Sequence, residues 1–400
     1  MADSQISFTE GSPIDRIVYA MFILFGIILL LNRRFNWIEA VQSNKWMFAL
    51  IFYALLSISW SNFPEVAIKR WIKLFGSTVM AFIILSGPTP VMAISSLLRM
   101  CFLIHIPLDF VFIKYIREFG VGWDDQGVEM WTGLTTHKNV LGQVCMTAGL
   151  YFLWDIFKKP PKGRMAINII YLFMLVFLMN GPGYSRSATA MSCLFFGIIV
   201  FIWLQYAPRD PELLTKYFIK GACAVFFVIV FSQLGILLFT ENRSIGEVTF
   251  EMSGRDSTLT GRTDLWEDIL KYASKNPLTG VGYGSFWIGN LSHNLWEKHF
   301  WNPRQGHNGY IDVYVELGMI GLFLFAGLLF SAFRKIKNNI VANFEYGCFQ
   351  ITIFIMIIIH NLSETSFLRG EVDLWFMFLL VTINIHTSSL ESPPADWYSE

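Results

Sequence analysis

The chain has 400 residues, of which 54% are hydrophobic and only 15% charged, with 30 basic and 30 acidic side chains in balance. Soluble domains carry about 25% charged residues, so a water-solvated globule is excluded and lipid becomes the solvent, in agreement with a mean hydropathy of +0.48. The zero net charge leaves no electrostatic footprint for nucleic acid.

A spanning helix needs about 20 largely apolar residues. Runs of that kind occupy 14–32, 43–60, 71–87, 91–113, 138–157, 165–181, 187–206, 217–239, 308–333, 344–361 and 372–388. Irregular backbone cannot face hydrocarbon, so each run is predicted to be a helix. The expected fold is all-α, a polytopic membrane helix bundle of about 11–12 transmembrane helices. It forms one integral membrane domain over 1–400, with one large loop at 240–307 and a short polar tail at 389–400. Met1–Asp15 is polar and acidic and does not read as a signal peptide.

The short loops set the orientation. Lys158, Lys159, Lys162 and Arg164 form one basic turn; Arg334, Lys335 and Lys337 form a second; Arg33, Arg34 and Lys45 form a third. If every run spans, all three fall on one side, which is then cytoplasmic. The 240–307 loop lies on the other side.

Inside that loop, Arg262–Ser274 has the pattern of an amphipathic helix. Leu265, Trp266, Ile269, Leu270 and Ala273 share a face, Thr263 is the expected N-cap, Asp264 and Glu267 suit the first turn, and Pro277 follows the end. That face is expected to pack on the membrane or on the end of the bundle. Gly280-Val281-Gly282-Tyr283-Gly284 lacks the strand-to-helix context of a dinucleotide site and reads as a tight turn. His293, Glu297 and His299 lack the spacing of a metal motif, Asp124-Asp125 reads as a solvated turn, and His105 with Asp109 reads as a buried structural pair. The five Cys have no paired spacing and read as small buried side chains. No metal or cofactor is expected.

Several cations break the charge rule on the side of the large loop: Lys69, Arg70 and Lys73; Lys138; Arg186; and Arg255, Arg262 and Arg304. Arg or Lys at a helix centre costs about 2.5–3.5 kcal/mol and calls for a partner. A diphosphate would supply one through charge-assisted hydrogen bonds; lipid headgroups or ordinary salt bridges are the plainer alternative. His307, in Gly306-His307-Asn308-Gly309-Tyr310 at the mouth of the run 308–333, has the chemistry of a general base. The plainer alternative is a histidine that bonds its own loop. Asp312 and Glu316, at i, i+4 on the next helix, either orient the histidine region, pair with loop cations, or solvate the helix mouth.

Six short segments occur in a fixed order. They are Ser57-Ile58-Ser59-Trp60-Ser61-Asn62-Phe63-Pro64, Gly133-Leu134-Thr135-Thr136-His137-Lys138-Asn139-Val140-Leu141-Gly142, Ser185-Arg186-Ser187-Ala188, Gly261-Arg262-Thr263-Asp264-Leu265-Trp266, Asn276-Pro277-Leu278-Thr279-Gly280-Val281-Gly282, and His307-Asn308-Gly309-Tyr310 through Glu316-Leu317-Gly318. In this order, and over residues 50–335, the chain resembles the O-antigen ligase/polymerase superfamily, most closely its bacterial exopolysaccharide polymerases. Family members often have about twelve helices with both ends inside, against the eleven runs found here.

The resemblance implies a membrane-embedded glycosyltransferase of the GT-C-like class in the bacterial inner (cytoplasmic) membrane. Its large loop and active site would be periplasmic. The expected donor is an undecaprenyl-diphosphate-linked oligosaccharide and the acceptor a glycan hydroxyl. Membrane lipid is a further partner, as is a chain-length regulator, and no metal takes part. In that frame His307, Arg186 and Arg262 are the expected catalytic residues. Arg186, Arg262, Lys138, Lys69 and Arg70 would bind the diphosphate. Asn308, Tyr310 and Asn139 would position the acceptor or the loop. His307 would deprotonate the acceptor in a single, inverting displacement, with the loop helix as a lid. A ligase that moves finished glycan to lipid A-core or protein is the alternative within the family. A transporter would show inverted repeats and broken helices with midplane charges, and no repeat is evident.

Overall fold

The computed structural model describes residues 13–33, 35–123, 127, 129–181, 187–210, 212–214, 216–217, 258–299 and 301–383. Arg34, Asp124, Asp125, Arg186, Arg255, the run 217–239 beyond Tyr217, the first part of the large loop and the tail 389–400 lie outside the described residues. Every other run contains a helix.

In chain order the helices are α1 (Pro13–Asn32), α2 (Trp37–Ser43), α3 (Lys45–Leu56, continued by a 3-10 turn over Ser57–Trp60), α4 (Pro64–Leu85), α5 (Pro90–Tyr115) and α6 (Arg117–Gly120). After a short hairpin come α7 (Lys138–Phe157), α8 (Lys162–Met179), α9 (Ala188–Gln205), α10 (Thr258–Ala273), α11 (Asn290–Lys298), α12 (Gly309–Ala342), α13 (Phe344–His360) and α14 (Asp373–Thr382). Many starts are locally encoded. Pro64 and Pro90 take first-turn positions, where a missing N–H is harmless. Ser187, Asn308 and Asn343 accept backbone N–H groups at the heads of α9, α12 and α13.

Five helices, α5, α7, α8, α9 and α12, are long and apolar enough to cross a membrane, or six if the bent α1–α2 pair counts as one span. α3, α13 and α14 are shorter apolar helices. α4 begins seven residues before the run predicted at 71–87, because Pro64 starts a helix whose first half carries Lys69, Arg70 and Lys73. α7 is the most buried of the five long apolar helices, buried continuously from Leu141 to Phe152. Gly142 lies against Ser187 and Ala190, and Gly149 against Leu194, so α7 and α9 approach closely. On the outer helices Phe22, Phe25, Phe173, Phe177, Phe195, Phe323 and Phe330 are each more than half exposed. That outward apolar surface is what hydrocarbon covers. The fold is therefore a multi-pass helical membrane bundle.

The three basic turns gather at one end. Lys335 Nζ donates to Asn44 Oδ1 at 2.8 Å, Trp154 Nε1 donates to the Glu345 carbonyl, and Arg164 holds Asp155 through two hydrogen bonds. The opposite end holds the start of α7, the start of α12 and the end of α13.

α12 breaks near that end. Gly318 has φ 66° and ψ −165°, a region open essentially to glycine alone. The freed helix groups are taken up by the loop ahead of α11. Met319 N donates to Pro277 O at 2.9 Å and Ile320 N to Leu278 O at 3.2 Å, while Val281 N donates to Val315 O and Gly282 N to Glu316 O. A Cβ on Gly318 would run into the Leu278 carbonyl. The Asn276–Gly282 and Glu316–Gly318 segments are thus one interlock. Ser57–Ser61 clasps it from the other side: Ser57 Oγ accepts from Tyr283 N at 2.9 Å, and Ser61 Oγ lies 2.6 Å from Ser285 Oγ.

Two local expectations need correction. α10 starts at Thr258, four residues before Arg262, so Thr263 is an internal helix residue and no N-cap. A cap signal is a weak local preference, overridden where the apolar face is buried. Leu265, Ile269 and Ala273 pack with Phe286, Trp287, Leu295 and Val315, so the face covers the bundle end. The second correction is β1 (Val121–Trp123) paired antiparallel with β2 (Glu129–Trp131), strands too short for an alternating pattern to show.

Gly318→Ala should cost about 1–3 kcal/mol from backbone conformation alone, with the Leu278 clash in addition. A large fall in the thermal midpoint of the detergent-solubilised protein is expected, and an unchanged midpoint would show that the interlock does not hold this end together.

Candidate active site

The site is built around Glu364, in the turn after α13. Asn361 shapes that turn: its Oδ1 accepts from Ser366 N at 2.8 Å and Phe367 N at 3.2 Å, and its Nδ2 donates to Ser366 Oγ at 2.7 Å. Gly309 N, at the head of α12, donates to Asn361 O at 2.9 Å and Glu364 O at 3.1 Å, a contact too close for a side chain at 309. The turn therefore docks on the mouth of α12 and carries Glu364 with it.

The Glu364 side chain is 3% exposed. Its Oε2 lies 3.0 Å from His307 Nδ1, and its Oε1 accepts from Asn139 Nδ2 at 2.8 Å and from an Arg262 guanidinium N–H at 3.2 Å. Arg262 also donates to the Ser363 carbonyl. Burial by itself would raise the carboxyl pKa. The His307 hydrogen bond, followed by the His307 and Arg262 charges, outweighs it and holds Glu364 down to about 2.

An ionised carboxylate only accepts, so His307 Nδ1 carries the hydrogen toward Glu364, and whenever the ring is neutral its lone pair sits on Nε2. Among the described residues Nε2 makes no hydrogen bond. The segment around His307 is pinned on both sides. Trp266 Nε1 of α10 donates to Gly306 O at 2.7 Å, and Gly306 N donates to the Asp312 carboxylate at 3.1 Å. His307 itself has φ 47°.

Asp312 and Glu316 are buried, at 2% and 3% exposure, so they do not solvate the helix mouth. Asp312 accepts from Trp287 Nε1 at 3.0 Å and Thr365 Oγ1 at 2.7 Å as well as from Gly306 N. Glu316 accepts from Gly284 N at 3.0 Å and an Arg369 guanidinium N–H at 3.0 Å. Burial pushes the Arg369 pKa down, but the two carboxylates reverse that and raise it, so the guanidinium stays charged. These acids thus orient the histidine loop and also hold a cation, which comes from the 361–372 turn.

The predicted site residues divide into groups. His307, Arg262 and Asn139 meet on Glu364, with Lys138 beside Asn139 at the first position of α7. Asn308 caps α12, accepting from Tyr310 N at 3.0 Å and Ile311 N at 3.2 Å. Tyr310 OH donates to Ile358 O at 3.1 Å, which ties α12 to α13. Arg70 reaches a different place, donating to the Gly284 carbonyl, and Lys69 precedes it on α4. Arg186 lies outside the described residues. His293 meets Trp296 edge-on, with ring centroids 5.2 Å apart, and His299 bonds Asp268 at 3.3 Å. Among the described residues no three His, Cys, Asp or Glu side chains gather as metal ligands. Glu364 was not singled out from the sequence. The available signal was a lone acid in Asn361-Leu362-Ser363-Glu364-Thr365-Ser366, a turn that antiparallel α12 and α13 return to the mouth of α12.

This arrangement defines a polytopic membrane protein with a histidine–carboxylate pair and an arginine at one end of its bundle. Residues 169–326 match the O-antigen ligase family. The chain is 27% identical over 304 residues to the exopolysaccharide production protein ExoQ of Rhizobium meliloti, covering 73% of this chain and 65% of that protein. It is 25% identical over 256 residues to a provisionally named polysaccharide ligase of Rickettsia felis, covering 58% of each. An uncharacterised Haemophilus influenzae protein is 30% identical over 120 residues, covering 29% of this chain and 30% of that one. The match thus spans about three-fifths of the length of the first two relatives. These likenesses bear out the resemblance to the O-antigen ligase/polymerase superfamily. The family match includes Arg262 and His307 but ends before Glu364.

Because the Glu364 pKa lies below its ordinary 4.5, its stabilisation is complete above about pH 4.5 and is lost as pH falls toward about 2. Glu364→Gln should flatten that acid limb in a plot of thermal midpoint against pH. A limb identical to wild type would show that Glu364 is not the ionised hub.

Proposed function

We propose that the chain is a membrane glycosyltransferase that polymerises exopolysaccharide or O-antigen-like repeat units. It takes glycan from undecaprenyl diphosphate and passes it to an acceptor sugar hydroxyl on the periplasmic face of the inner membrane. The observation that carries this reading is the His307–Glu364 pair, which leaves Nε2 as a base beside Arg262. Nε2 accepts the hydroxyl proton as the acceptor oxygen bonds to the anomeric carbon. The bond from that carbon to the diphosphate oxygen breaks, and diphosphate leaves with the electron pair. A single displacement inverts the centre. Buried and ionised, Glu364 stabilises the imidazolium that forms.

Diphosphate is already a good leaving group, so cations can take the place of a general acid. Arg262 and Lys138 would serve this role, with Arg186 and Lys69 as further donors, whereas Arg70 holds the Gly284 carbonyl. Glycosidases, whose leaving group is a poor alkoxide, use two carboxylates instead. Asn139 steadies Glu364, while Asn308 and Tyr310 fix the loop that carries His307. The gathering of the basic turns at the end opposite Glu364 supports a periplasmic site.

ExoQ, by its name an exopolysaccharide production protein, matches over more of this chain than the R. felis protein does, 73% against 58%, which favours a role in making exopolysaccharide. The name of the matched family and that of the R. felis relative support the ligase as the second reading.

Deleting the gene and weighing extracted lipid-linked glycans by mass spectrometry separates the two. Accumulation of single repeats, rescued by wild type but not by His307→Ala or Arg262→Ala, is the polymerase result. Long lipid-linked chains would make the protein a ligase, and an unaltered lipid-linked pool would remove both readings.

A further inference from the structure

The described part of the large loop contains Trp266, Trp287, Trp296 and Trp301. An indole N–H near protein surface is normally matched to an acceptor. Three of these are: Trp266 donates to Gly306 O, Trp287 to Asp312, and Trp296 to Pro303 O. Trp301 donates to nothing among the described residues. It is half-buried and packs against the cluster that contains Leu265, Ile269 and Trp287. Its ring centroid lies 5.4 Å from that of His307, the two planes tilted by 54°. Trp301 and His307 are both half-buried, so each side chain is partly open to solvent. A half-buried indole whose N–H has no partner among the described residues and a histidine nitrogen with none therefore stand side by side at the site.

We propose that Trp301 is the floor of a pyranose subsite that holds the acceptor sugar against His307. A neutral pyranose has a C–H-lined face that stacks on an indole, and a rim of hydroxyls that exchange hydrogen bonds. Trp301 supplies both partners: its outer face takes the ring, and its N–H donates to a rim hydroxyl. The neighbouring hydroxyl then faces Nε2. The diphosphate end of the donor has different needs, met by the cations around Glu364. Trp301 is thus a binding and specificity residue for the acceptor, whereas Arg262 serves the leaving group. The inference rests on the acceptor-deprotonation reading for its function, but sugar binding at Trp301 is testable without turnover.

The test uses the full-length protein in lipid nanodiscs. The probe is the oligosaccharide repeat released by mild acid from the source organism's own polysaccharide, which carries no lipid or diphosphate. Saturation-transfer NMR should label the ring C–H protons of one sugar. Trp301→Leu keeps the apolar contact with the loop cluster but removes the aromatic face, and should weaken binding about tenfold. Trp301→Phe should retain most of it. In a transfer assay Trp301→Leu should raise the acceptor KM more than it lowers kcat. No saturation in wild type, or equal binding by wild type and Trp301→Leu, would overturn the subsite. Full turnover by His307→Gln with binding still lost in Trp301→Leu would overturn the base reading alone and leave the subsite in place.

Discussion

A buried carboxylate must be surrounded by donors, because leaving its charge unpaired costs several kcal/mol. Glu364 meets this demand with groups from separate parts of the chain: Asn139 from α7, Arg262 from α10 and His307 from the loop before α12. The same requirement that stabilises the carboxylate brings the base and a cation together. Removing one partner leaves the others facing a charge they no longer balance, so the site forms as a unit.

The scaffold beneath has to hold that turn to a fraction of an ångström, and it does so through exchanged backbone hydrogen bonds. The break at Gly318 releases N–H and C=O groups from α12, and the Pro277–Gly282 segment takes them up. Asp312 ties the loop of His307 to α12 and to Thr365, next to Glu364 in the turn. Glu316 and Arg369 then join α12 to that turn. Asp312 and Glu316 therefore act as structural charges, which explains how two acids can be buried at a helix mouth.

Much of the bundle was legible because spanning helices are written as local apolar runs. α7 was placed at 138–157 with both ends correct, since polar or basic residues flank it closely. α4 was shortened because Lys69, Arg70 and Lys73 interrupt its apolarity, although Pro64 marks the true start. The break in α12 was hidden inside a uniformly apolar run, where Gly318 reads as an ordinary small residue. In the site, His307, Arg262 and Asn139 were recognisable by residue type and order. Glu364 was not, because its bond to His307 joins positions 57 residues apart and no spacing rule links them. Arg70 shows the reverse limit: its charge stood out in the sequence, yet the fold commits it to the Gly284 carbonyl.

Glu364 sets His307 up as the base in the proposed reaction. That role is tested most directly by reconstituting the purified protein with a lipid-linked repeat and measuring transfer by wild type and Glu364→Gln. Transfer by the variant should fall about a hundredfold or more, while the variant still binds the lipid-linked donor. An unchanged transfer rate would contradict that role and leave Glu364 as a structural residue only.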